Sequence, residues 1–77
     1  MITANEAETL AQTTMQDYVA ACQCDTAQDV GNVLMKLVSM CALGMCATVG
    51  QQEAVARIAG TAAYINKKEV EVRERQH

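Results

Sequence analysis

"VLMKLVSMCALGMCATVG" occupies residues 33–50, and after Lys36 it holds no charge; the next charged residue is Glu53. Read at a helical period, one side carries Val30, Val33/Leu34, Leu37/Val38, Cys41 and Met45, in steps of three and four. The other side begins as Asp29, Asn32, Lys36 and Ser39, then turns into Leu43 and Cys46/Ala47. The segment is therefore amphipathic up to Ser39 and loses its polar side from Met40 onward. A helix that is apolar all round has to be covered all round. Ala42, Gly44 and Ala47 are small enough for a second backbone to come close. Gly50 suits a left-handed helix end.

Working outward, "TANE" at residues 3–6 has capping-box spacing, Thr3 accepting from the third residue on and Glu6 reaching back. The stripe Ala7, Leu10/Ala11, Thr14/Met15, Tyr18/Val19, Cys22 follows, and predicts a helix over about residues 4–23. Asp25 or Thr26 is the expected cap of a second helix over about 27–49, with Thr26 and Asp29 repeating the spacing. A third helix is expected over about 51–72, its inner face Val55, Ile58/Ala59, Ala62 and Ile65. Beyond Asn66 the pattern fails. Residues 67–77 read as a charged, fraying helical tail, with Glu69–Arg73 and Glu71–Arg75 in the favourable i,i+4 order. The expected fold is all-α: one domain over residues 1–77, a helical hairpin plus a third helix.

Composition agrees with close helix packing. Apolar residues make up 51% of the 77, yet Phe, Trp and Pro are absent and Tyr18 and Tyr64 are the only aromatics. Long helices joined by short turns follow from many alanines and few breakers. The net charge of −3 is uneven: residues 1–50 carry Glu6, Glu8, Asp17, Asp25 and Asp29 against Lys36 alone. An acidic chain without a basic stripe is a poor binder of nucleic acid. No basic and apolar leader opens the sequence, so a cytoplasmic location with reduced thiols is the expectation.

Two neighbouring helices cannot shelter residues 40–49 on every flank, and an exposed apolar patch usually marks an interface. The simplest closure is an intertwined helical-bundle homodimer in which the second helix packs on its own copy through Val33, Leu37, Met40, Cys41, Gly44 and Met45. A bilayer is the rival cover. Residues 33–49 sit at the short limit for a span, Lys36 lies inside, and no aromatic belt flanks them, so no membrane is expected.

The residue inventory offers little catalysis, and no enzyme is expected. His77 is the only histidine and the last residue, and there is no glycine-rich phosphate loop. Cys22-x-Cys24 is too tight for the usual zinc knuckle, and Cys41 and Cys46 diverge around a helix, so no metal or cofactor is expected. Cys41 and Cys46 read as small buried hydrophobes, while Cys22 and Cys24, at a turn, could be reactive. Met35, Met40 and Met45 fill core gaps or form an adaptable recognition surface. Tyr18, Lys36, Arg57 and Tyr64 are the candidates to frame a small ligand at a subunit interface.

The functional expectation is a non-enzymatic homodimer that binds another protein and regulates or inhibits it. Such size and class are common among phage and plasmid accessory proteins. A ligand-sequestering module is the first alternative, a thiol-based redox or metal-binding protein the second.

Overall fold

The computed structural model describes the backbone of residues 1–75 and the side chains of residues 1–68. Three helices follow in order, α1 (Ala4–Ala21), α2 (Ala27–Val49) and α3 (Gln51–Arg75), and no strand occurs among the described residues. The fold is all-α. The side chains of the Glu69–Arg73 and Glu71–Arg75 pairs, and His77, lie outside the described residues. Contacts group the chain into two compact units, Met1–Ser39 and Met40–His77.

In the first unit, Thr3 caps α1. Its Oγ1 accepts from the Glu6 N–H at 3.1 Å, and Glu6 Oε1 accepts from the Thr3 N–H at 3.1 Å. These bonds hold the Glu6 carboxyl below its ordinary range, the contact with the Thr3 backbone being the larger cause. The helix ends at Ala21, short of residue 23, because Gln23 takes a left-handed φ of +54° that the helix cannot continue through. The chain restarts on a second reciprocal cap: Thr26 Oγ1 accepts from the Asp29 N–H at 3.0 Å, and Asp29 Oδ2 accepts from the Thr26 N–H at 3.3 Å. Across this turn the Tyr18 hydroxyl donates to the Val33 carbonyl at 2.8 Å, pinning α1 to the start of α2. Tyr18, Val19, Val30, Val33, Leu34 and Leu37 are half-buried there. Half-burial of a Val or Leu is worth about 1 kcal/mol, before side-chain ordering is subtracted. Farther along α1, Leu10 is 60% exposed and Met15 is exposed too, so its apolar stripe is covered only at one end.

The second unit turns at Gly50. Its φ of +93° is one that L side chains rarely adopt, and its N–H donates to the Cys46 carbonyl at 3.2 Å. The Ala54 N–H then donates to the Gly50 carbonyl at 3.0 Å, starting α3 directly. Ala54, at 1% exposure, is the one buried residue among those described. Ala42, Met45, Cys46 and Ile58 are half-buried. Ala54 and Ile58 thus form the inner face of α3, and the expected face is rotated: Val55 and Ile65 are each 59% exposed. Alanine is hard to recognise as the centre of a face because its small side chain weighs little in any hydrophobic pattern.

Candidate functional site

The feature that most needs a function is what the units fail to cover. Apolar side chains stand exposed on all three helices, Leu10, Met40, Leu43 and Ile65 among them, and Ala54 alone is buried among the described residues.

Residues 40–49 show where. Met40, Leu43, Gly44 and Ala47 recur at i, i+3, i+4 and i+7, which places them on one stripe. All four are exposed, Met40 at 65% and Leu43 at 63%. The polar side chains flanking the stripe do not break it. Ser39 Oγ donates to the Met35 carbonyl at 3.0 Å, and Thr48 Oγ1 donates to the Gly44 carbonyl at 3.0 Å. Both hydroxyls are spent on their own helix, leaving methylene and methyl groups outward. On the side facing α3, an apolar groove of about 290 Å³ is lined by Ala42, Cys46, Ala54, Val55 and Ile58 among others.

Gly44 is the anomaly of the stripe. It is helical, its φ is not positive, and a Cβ there would meet nothing within 4 Å. A mid-helix glycine costs about 1 kcal/mol relative to alanine. Neither backbone geometry nor packing within the chain accounts for it.

The expected interface residues divide by exposure. Met40, Cys41 and Gly44 are exposed, while Val33 and Leu37 are half-buried in the first unit and Met45 in the second. Cys41 is thereby corrected: it is not a buried hydrophobe of its own chain, and Cys46 is only half-buried. Met35 joins Met40 on the outside.

The four ligand candidates are each otherwise engaged or open to solvent. Tyr18 is committed to Val33. Lys36 lies on an open surface with Asn32, Met35 and Ser39. Arg57 Nε donates to Glu53 Oε1 at 2.9 Å, an exposed i,i+4 pair. Tyr64 has the Lys68 ammonium 5.8 Å from its ring centre, a cation–π contact at an exposed site.

The thiols are unpaired: Cys22 exposed, Cys24 half-buried. Desolvation, then the charges of Cys22, Asp29 and Asp25, pushes the Cys24 thiol up, which leaves less thiolate at neutral pH and works against nucleophilic use. Among the described residues no group of three or more His, Cys, Asp or Glu side chains is placed to hold a metal ion.

In comparisons with protein-family models, curated proteins and solved structures, nothing matches this chain. The site has to be read from its own chemistry. α2, at 23 residues with an 18-residue stretch of mean hydropathy 1.6, is long and apolar enough to cross a bilayer, and none of its residues is buried. Each half nevertheless has a polar-surfaced helix alongside: α1 with Asp17 near Tyr18, and α3 with Glu53 and Arg57 near Ala54.

Proposed function

We propose that this chain is a non-enzymatic helical homodimer of the cytoplasm that acts by binding another protein, as a regulator or inhibitor of the accessory type. One observation supports the reading above others: apolar side chains stand exposed on all three helices while Ala54 alone is buried among the described residues. A surface of that kind is a protein-contact surface. The acidic first half of the chain, with Glu6, Glu8 and Asp17 on α1, suits a partner whose site is basic.

Protein is favoured over lipid as the cover because Lys36 lies within the apolar stretch and no aromatic belt flanks it. A small-ligand module has less support, since Tyr18 and Arg57 already spend their polar atoms on Val33 and Glu53.

The test is affinity capture of the purified chain's partners at physiological salt, run beside a Leu10→Glu/Met15→Glu variant altered on the open stripe of α1. A protein retained by the first and lost by the second supports the reading. Retention of none, with thermal stabilisation by a metabolite instead, replaces it with ligand binding.

A further inference from the structure

We propose that Cys22 and Cys24 form a reversible redox site, which closes to an intramolecular disulfide when a low-molecular-weight disulfide oxidises it. The two thiols flank Gln23, the residue whose left-handed φ of +54° stops α1. A non-glycine residue at positive φ sits in the left-handed helical region. Helical geometry of either hand sets residues two apart at about 5.4 Å between Cα atoms, inside the roughly 4.4–6.8 Å that a disulfide spans. Cys41 and Cys46 supply the contrast. Five residues apart within α2, they have Cα atoms about 8.6 Å from one another, beyond the reach of a bridge.

The turn also gathers both sulfurs at one fixed side chain. The Tyr18 hydroxyl is held on the Val33 carbonyl at 2.8 Å. Desolvation first, then Cys22 and after it Cys24, pushes that hydroxyl up, and Cys22 follows desolvation in doing the same to the Cys24 thiol. Cys22 is exposed and Cys24 half-buried, so Cys22 takes the first step. Its thiolate attacks one sulfur of the small disulfide and one thiolate leaves. Deprotonated Cys24 then attacks the Cys22 sulfur, forming the bridge and expelling the second thiolate. Two protein thiols are oxidised, one small disulfide is reduced to two thiols, and both protons pass to the departing sulfurs. A raised thiol suffices for the second step because that attack is intramolecular. A bridge at an exposed turn stays within reach of reductants, which makes it reversible.

The experiment equilibrates the full chain with reduced and oxidised glutathione, alkylates the remaining thiols, digests with trypsin and weighs the peptides. Lys36 is the first basic residue and Arg57 the next, so residues 1–36 carry Cys22 and Cys24 while residues 37–57 carry Cys41 and Cys46. The peptide 1–36 should lose two hydrogen atoms and escape alkylation, and excess dithiothreitol should restore both thiols. The peptide 37–57 should form no internal bridge. Gln23→Val should lower the bridging equilibrium about tenfold, because a β-branched residue resists positive φ, whereas Gln23→Gly should retain it. Gln23 is exposed, so neither variant disturbs packing, and circular dichroism checks that the helices persist. A glutathione adduct that stops at Cys22, or a bridge that forms only between chains, overturns the proposal. Equal bridging within 37–57, or bridging untouched by Gln23→Val in a folded chain, overturns it as well.

Discussion

In residues 27–39 of α2 the outward side carries Asn32, Lys36 and Ser39, while Val30, Val33, Leu34 and Leu37 take cover from α1. In residues 40–49 the covered side is Ala42, Met45 and Cys46, and the outward side is Met40, Leu43, Gly44 and Ala47. The covering helices differ in the same sense. α1 brings a tyrosine that both packs and donates to Val33; α3 brings Ala54 and Ile58, which pack closely but add no polar anchor. One half of the helix tucks Val30, Val33, Leu34 and Leu37 into a hairpin and shows water Asn32, Lys36 and Ser39, with Met35 and Val38 exposed beside them. The other half covers Ala42, Met45 and Cys46 in part and leaves Met40 and Leu43 outside. The first half keeps Asn32 and Lys36 on its outward side, and the second carries no charged side chain on any side.

The largest single-chain effect should come from filling the closest approach in the second half. Ala54→Leu forces several extra carbon atoms into the one buried position and should cost about 1–3 kcal/mol, read as a lowered denaturation midpoint. In the first half nothing is packed so tightly, and its sharpest test is polar. Tyr18→Phe removes the bond to Val33 and should cost about 0.5–1.5 kcal/mol, toward the lower end because that carbonyl sits within a helix and keeps its intrahelical donor. If Tyr18→Phe proved the more damaging, the contrast between an anchored and a close-packed hairpin would be reversed.

Glycine tests the same contrast by sign. Gly31 and Gly44 are both helical, both exposed, and both would accept a Cβ without meeting another atom of the chain. In the half with a polar back, Gly31→Ala should stabilise by about 0.5–1 kcal/mol, through helix propensity alone. In the other half, where the proposed homodimer would bring a second backbone close, Gly44→Ala should instead lower the midpoint, the propensity gain being outweighed by the lost approach. Equal stabilisation by both would show that the two outward faces meet only water.

Much of this architecture is legible in residues. Thr3 with Glu6 and Thr26 with Asp29 mark two helix starts by reciprocal side-chain bonding, which is a local interaction and so readable locally. The turn at Gly50 is legible for the same reason. The end of α1 was less so: the period continues to Cys22, and nothing about a glutamine announces a positive φ at Gln23. The inner face of α3 is less legible, because periodicity weights Val55 and Ile65, whereas close approach selects Ala54. Leu10 shows the general difficulty. Its spacing on α1 says that it should be covered, and only coordinates say that nothing in its own chain does so. Periodicity identifies a face that wants a partner, not whether the partner is intramolecular.

The smallest expected effect lies at the start of α1. Glu6 is fully exposed, and its carboxyl is held below the ordinary range by the Thr3 backbone first and the Thr3 hydroxyl second. A carboxylate with a depressed folded-state pKa adds stability that is present above the unfolded value of about 4.3 and is lost as pH falls through the lower folded one. Helix content followed by circular dichroism should therefore decline slightly below about pH 4, as the anion that bonds the Thr3 N–H is protonated. Glu6→Gln keeps an acceptor for that N–H and removes the charge, so its helix content should stay flat over the same interval. A decline of equal size in both would show that the Glu6 charge takes no part in the acid response.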